Sequence, residues 1–232
     1  MATIAALLLA AGESTRMGET KALLPWHDRP LIEHQISTLA SAGVSRTIVV
    51  LGHQSDRLKP LLEDRSGIQW VYNPDYKQGK TTSIKAGLHA LKASSTPPAT
   101  GEQGEAVRLL PEESILILNA DQPRSADTIR RVMELHRRAD SAKRTCLITI
   151  PTYGGKGGHP IILSLSLVDE LMDISEDKLG VKDVVHRHVK ETQRVEIDCP
   201  EILLDLNTPQ DYRKALETPS SYALTKEQRL LQ

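Results

Sequence analysis

Short aliphatic runs alternate with amphipathic stretches along the first part of the chain. Ile4–Leu9, Thr47–Leu51 and Ile68–Tyr72 are continuous apolar segments of strand length. Each is followed by a stretch with helical spacing of apolar residues, at 31–42, 54–64 and 81–92. Continuous apolar strands separated by helices predict a parallel sheet covered on both faces, with ligands bound at the carboxyl ends of the strands.

The segment 93–113 is rich in Ser, Thr, Pro, Gly and Glu and lacks apolar periodicity, so it reads as a mobile surface insertion. Beyond it, Ile115–Leu118 reads as a buried strand and Ala126–Arg138 as a helix with Ser125 as its N-cap. The pattern then changes. Thr145–Ile150 reads as a strand, the glycine-rich stretch 153–158 as a turn, and Pro160–Leu163 as a strand that would pair antiparallel with a neighbour, making the sheet mixed. Leu167–Ile174 and Val181–His188 read as helices, Arg194–Ile197 as an edge strand, and Thr208–Leu216 as a last helix with Pro209 in its first turn. The expectation is an α/β, three-layer, Rossmann-like fold: one domain over residues 1–217, followed by a polar tail at 218–232.

Composition narrows the functional classes. The 29 basic and 30 acidic side chains nearly cancel, so no whole-molecule field favours nucleic acid or a membrane surface. Aromatics are scarce and Phe is absent, which removes a stacking platform for single strands. Cys146 and Cys199 stand far apart in no metal-ligand spacing and read as small buried side chains of a reduced protein. The apolar start lacks a basic leader and is too short to span a bilayer, so the expected location is the cytoplasm.

The densest chemical signal is Leu9-Ala10-Ala11-Gly12-Glu13-Ser14-Thr15-Arg16-Met17-Gly18-Glu19-Thr20-Lys21, directly after the first strand. Small residues let the backbone approach a ligand, Gly12 and Gly18 permit unusual dihedrals, and Arg16 and Lys21 supply the charge a triphosphate needs. The stretch is neither G-x-G-x-x-G nor a G-K-[ST] phosphate loop, which removes support for dehydrogenase and ordinary ATPase readings. The competing reading is a tight strand-to-loop connection with solvated charges. Asp121 follows the strand at 115–118, where a hard carboxylate would suit Mg²⁺; the alternative is a turn aspartate ahead of Pro123. Gln78, Gly79 and Ser83 lie between a strand and a helix, where amides and hydroxyls would meet a base, ribose or phosphate, or simply cap the helix. His186 and His188 are two apart on a helix and so point to different faces.

Leu-Ala-Ala-Gly-x-Ser-x-Arg-Met-Gly-x-x-Lys resembles the opening signature of the molybdenum cofactor cytidylyl- and guanylyltransferases, within the glycosyltransferase-A-like nucleotidyltransferases. The blocks Val49-Val50-Leu51-Gly52-His53, Asn73-Pro74-Asp75-Tyr76, Asp121-Gln122-Pro123, Gly157-Gly158-His159-Pro160 and Asp205-Leu206-Asn207-Thr208-Pro209 follow in that family's order. The resemblance implies transfer of a nucleoside monophosphate to a phosphorylated acceptor with release of pyrophosphate. It implies Mg²⁺ on Asp121 and Asp205, catalysis by Arg16, Lys21 and Asp121, and nucleotide binding by Leu9, Ala10, Ala11, Gly12, Ser14, Arg16, Gly18, Lys21, Gln78, Gly79 and Ser83. Gly158 and His159 would face the acceptor, expected to be a molybdopterin-type compound destined for a client molybdoenzyme. Ala11, where the guanylyl enzymes carry glycine, implies CTP. Lys80-Thr81 and Asn207 depart from the family pattern, and Asp205 competes with a helix-entry role. A sugar- or polyol-phosphate nucleotidyltransferase and a non-catalytic cofactor chaperone are the alternatives.

Overall fold

The N-terminal apolar run forms strand β1 (Ile4–Ala10), buried along its whole length. The computed structural model describes residues 3–15, 17–63, 65–94, 112–141 and 146–217. After β1 come the hairpin strands β2 (Pro25–Trp26) and β3 (Arg29–Pro30), then α1 (Leu31–Ala42), β4 (Thr47–Leu51), α2 (Ser55–Leu58), β5 (Ile68–Tyr72) and α3 (Lys80–Ser94). The chain continues through β6 (Ser114–Asn119), α4 (Ala126–Ser141), β7 (Ile148–Tyr153), β8 (Lys156–Gly157), β9 (Ile161–Ser164), α5 (Val168–Asp173), α6 (Val181–Arg187), β10 (Thr192–Glu196) and α7 (Pro209–Glu217).

The main sheet runs β10-β7-β9-β6-β1-β4-β5, with β8 paired to β7. β1 is parallel to β4 and β6, and β4 to β5. β9 is antiparallel to both its neighbours, β6 and β7, so the two reversals return β7 and its parallel partner β10 to the direction of β6. The carboxyl ends of β1, β4, β6 and β7 therefore open at one edge, where an α/β sheet places its ligands. The period-2 alternation of β1 divides the core. Ile4, Ala6, Leu8 and Ala10 pack with Ile32, Ile36 and Leu39 of α1 and Ile129, Val132 and Met133 of α4. Ala5, Leu7 and Leu9 face the other way, onto Ile84, Leu88 and Leu91 of α3, Leu171 of α5 and Val184 of α6. Helices thus cover both faces of a mostly parallel mixed sheet.

Local chemistry sets the helix limits. α1 stops at Gly43, which takes a left-handed φ of 86° and donates its N–H back to the last turn. Ser125 caps α4, its Oγ accepting from the Thr128 N–H at 3.2 Å.

Several boundaries differ from the sequence reading, among them the helix read at 126–138, which runs to Ser141, and the edge strand read at 194–197, which runs Thr192–Glu196. The stretch 54–64 is not one helix: Pro60 has no N–H to donate, and the segment breaks into α2 and a 3₁₀ turn at Lys59–Leu61. The insertion is narrower than 93–113, because Glu112 pairs with Arg46 at 2.8 Å and the Glu113 N–H bonds the Thr3 carbonyl; residues 95–111 lie outside the described residues, as does the tail at 218–232. The strand expected at 145–150 runs Ile148–Tyr153, with Thr145 outside the described residues. Both cysteines are buried and free. Among the described residues, no helix is long and apolar enough to cross a membrane.

Candidate functional site

The loop after β1 is closed by one side chain. Ser14 sits at φ 54°, its carbonyl accepts the Met17 N–H at 2.8 Å, and its Oγ accepts the Lys21 N–H at 3.0 Å. Lys21 opens a 3₁₀ turn and is thereby aimed back under the carboxyl end of β1. Gly18 takes a left-handed φ of 71°, as expected of it. Gly12 does not: it stays outside the left-handed region, and a Cβ there would meet nothing within 4 Å. Its smallness leaves open space beside the backbone rather than freeing a dihedral. Arg16 lies outside the described residues.

A cleft of about 280 Å³ opens between this loop and the end of β6. Leu9, Ala10, Ala11, Gly12, Ser14, Lys21, Gly79, Ser83 and Asp121 all line it. Thr20 of the opening signature, Tyr76 of the Asn73–Tyr76 block and Lys80, a departure from the family pattern, also line it, as do Ala22, Asn119 and Ala120. Lys21 Nζ donates to Asp121 Oδ2 at 2.8 Å and to Asn207 Oδ1 at 3.2 Å. Lysine and carboxylate thus meet across 100 residues of chain in one cavity. Gly18 and Gln78 are not on the wall. Gln78 is turned away by its neighbour, its amide donating to the Asp75 carboxylate at 2.7 Å. Asn73 organises the entry to α3, donating to the hydroxyls of Thr82 at 2.9 Å and Ser83 at 3.0 Å.

Asp205 does not line that cleft; it is held at its border by Gln122, whose amide donates to Asp205 Oδ1 at 2.7 Å. The Leu206 N–H bonds the Asp121 carbonyl at 2.9 Å, so the segments bearing the two carboxylates are stitched together. Helix entry falls to other residues: Asp211 Oδ2 accepts the Thr208 N–H at 2.8 Å, and Thr208 Oγ1 accepts the Asp211 N–H at 3.2 Å, a reciprocal cap. Asp205 and Asn207 take no part in that cap, and Asn207 Oδ1 is left to accept from Lys21. Beneath, buried Gln35 of α1 donates to the carbonyls of Asn119 and Gln122 at 3.2 and 2.8 Å. A polar residue on the apolar face of α1 was the available signal for that support. Arg124 is the other support, with only 1% of its surface exposed. Nothing in the sequence marked it.

A second cavity, of about 410 Å³, adjoins the first and shares Lys80 and Asn119 with it. Gly158 and His159 lie on its wall. A Cβ on Gly158 would lie 2.3 Å from the Ile202 carbonyl, so this loop presses against residues 200–203 as only glycine allows. The His159 N–H completes the contact by bonding the same carbonyl at 2.9 Å.

A profile for the MobA-like NTP transferase domain matches residues 6–192. The chain belongs to that family. The molybdenum cofactor cytidylyltransferase of Escherichia coli K12 is 29% identical over 219 residues, covering 94% of this chain and 97% of that protein. The bifunctional protein GlmU of Shouchella clausii is 27% identical over 184 residues, but this chain spans only 36% of its length. Among solved structures, Rv0371c of Mycobacterium tuberculosis superposes with a TM-score of 0.71 at 25% identity, covering 94% of this chain and all of that one; the same protein is also described as a manganese complex.

In this MobA-like domain the donor set can be tested against a divalent cation. Asp121 offers a carboxylate within the cleft, and Asp205, held through one oxygen by Gln122, carries a second next to Leu206, whose N–H bonds the Asp121 carbonyl. Among the described residues no group of three or more His, Cys, Asp or Glu side chains converges. One or two carboxylates with substrate phosphates and water is the donor set of a magnesium-type ion, and the residues fit it.

Burial of the MobA-like domain's second cavity also fixes the charge state of its histidine. His159 is pushed down to about 4, by burial first and then by the charges of Arg124 and Lys80. It is neutral at pH 7, and the Gln122 amide donating to Nδ1 at 3.2 Å leaves the ring proton on Nε2. His34 is likewise pushed down to about 4, by burial and then by His27 and Arg29. With both folded values below the ordinary 6.5, the unfolded chain takes up protons first as pH falls. Stability is therefore full above pH 6.5 and declines between 6.5 and 4, by up to about 3 kcal/mol from His159. Urea midpoints measured across that window are expected to fall less steeply for His159→Gln than for the parent; parallel curves would refute the assignment.

Proposed function

We propose that this chain transfers CMP from CTP to a phosphorylated acceptor of the molybdopterin type, releasing pyrophosphate. The observation that carries this reading is the meeting of Lys21 and Asp121 in the cleft closed by Ser14. An acceptor phosphate oxygen attacks the α-phosphorus in line. A new P–O bond forms as the bond to the bridging oxygen breaks, and pyrophosphate departs with the electron pair. The attacking oxygen is already ionised at neutral pH, so no general base is needed. A magnesium-type ion held by Asp121 and Asp205 would supply charge neutralisation at the phosphates. The loop amides and the Lys21 ammonium bind and orient the triphosphate, and Lys21 stabilises the charge that moves onto the leaving group. His159, neutral, offers an Nε2–H as a donor on the acceptor side.

The choice of base rests on Ala11, buried against the cleft wall with 4% exposure. Its methyl narrows the space beside the backbone and disfavours a purine. The cytidylyl activity in the name of the E. coli relative supports the same choice. Pyrophosphate release is expected with CTP, Mg²⁺ and molybdopterin, at a kcat/KM at least roughly tenfold above that with GTP, the discrimination a methyl-sized clash commonly provides. GTP as the better substrate in competition would overturn the assignment of base, and absence of release with every triphosphate would overturn the reaction.

A further inference from the structure

We infer that Glu176 is a positioning residue that couples the two cavities, so that nucleotide bound in the first cleft orders the loop beside the second and raises affinity there. The inference rests on the nucleotidyl-transfer reading and adds to it a linkage between the two substrates. Gly79 stands on the wall of the first cleft at φ 117° and ψ 174°, a conformation essentially confined to glycine. A second constraint acts at the same position. A Cβ on Gly79 would overlap the Cγ, Cδ and Oε1 atoms of Glu176. That carboxylate, 95 residues further along the chain from Thr81, accepts the Thr81 N–H through Oε1 at 2.8 Å. It thereby satisfies one of the amides at the start of α3 that have no partner within the helix. The nucleotide-side turn and Glu176 thus fix one another's position.

The other end of the connection is the turn at 175–180. The N–H groups of Lys178 and Gly180 both return to the Ser175 carbonyl, at 3.2 and 2.9 Å, and Leu179 is held at φ 64° although 62% exposed. A left-handed leucine with so little burial depends on what holds the rest of the turn. Thr81 touches it at both ends: Glu176 bonds its N–H at the front, and a Cβ on Gly180 at the back would lie 3.1 Å from its Cγ2. Glu176, Leu179, Gly180, Val181 and Lys182 line the second cavity, Gly79 lines the first, and Lys80 lines both. A nucleotide that fixes Gly79 and Lys80 therefore removes freedom from the turn in advance. A ligand against that turn then loses less on binding. By linkage the effect runs equally in the other direction.

Hydrogen–deuterium exchange of the full chain tests this with Mg²⁺ and α,β-methylene-CTP, whose bridging carbon blocks pyrophosphate release. In the parent, saturating analogue is expected to slow exchange in peptides spanning 9–22, at the first cleft, and about fivefold in peptides spanning 176–184, which lie outside it. Glu176→Ala is expected to keep the first effect and lose the second. Glu176→Gln, whose amide oxygen still accepts the Thr81 N–H, should restore at least about half of it, as a positional rather than a charge effect requires. Asp177→Ala, which removes the adjacent carboxylate that lines neither cavity, should respond as the parent does. Molybdopterin, kept anaerobic in equilibrium ultrafiltration, is expected to bind about fivefold more tightly with the analogue than without, in the parent and not in Glu176→Ala. Protection of 9–22 alone in the parent, or an undiminished response of 176–184 in Glu176→Ala, overturns the inference and leaves nucleotide binding intact. Protection of 9–22 by neither the cytidine analogue nor its guanosine counterpart removes the nucleotide reading, and the linkage with it.

Discussion

Lys21→Ala is expected to lower pyrophosphate release by about a thousandfold, and Asp121→Asn by a similar factor, the range found when one preorganised electrostatic partner of a transition state is removed. The two side chains are joined at 2.8 Å, with 12% and 25% of their side-chain surfaces exposed. The cleft that holds them is open enough for water to replace either partner, so folding stability should change by no more than about 1 kcal/mol. The expected signature is a collapse of kcat in variants that unfold at nearly the parent urea concentration. Release within threefold of the parent from either variant would remove the proposed roles of both.

Arg124→Met is expected to do the opposite, lowering stability first and activity through it. The guanidinium donates to four backbone carbonyls: His159 at 3.0 Å, Pro123 and Leu204 at 2.8 Å each, and Ile202 at 2.9 Å. Burial pushes it down to about 10, an effect opposed by the carboxylates of Glu201, Asp205 and Asp121. It remains charged at pH 7. Methionine fills the volume but leaves the four acceptors without their donor, at a cost of about 3–5 kcal/mol. Arg124→Lys should recover little, because a single ammonium cannot reproduce a planar fork aimed at three segments. A urea denaturation series measures the loss, and a change below about 1 kcal/mol would show that water satisfies these carbonyls unaided.

The strands were legible because each is a continuous aliphatic run bounded by turn residues, and β1, β4 and β5 follow the sequence reading to within a residue. The reversed strand β9 was legible for a different reason: the glycines at 154 and 155 turn the chain before it. The stretch 54–64 misled because its apolar spacing persists through Pro60, which hydrogen bonding cannot. At the cleft, the residues immediately after β1 were readable, since strand ends in a parallel sheet have one place to go. Gln78 was not, because a local carboxylate three residues earlier captures its amide. Nor were the roles of Asn207 and Arg124, whose partners are brought together only by the complete chain path. Asn207, a departure from the expected aspartate, accepts a hydrogen bond from Lys21 without adding a further negative charge beside Asp121 and Asp205.

The span of the Lys21 contacts governs when this corner can exist during synthesis. Lys21 emerges early, but its two partners follow 100 and 186 residues later. A nascent chain that has released only its first four strands has the ammonium without Asn207 and without the segment bearing Asp205. The segment bearing Asp205 and Asn207 thus completes the electrostatic enclosure, so this corner cannot assemble before that segment has been made.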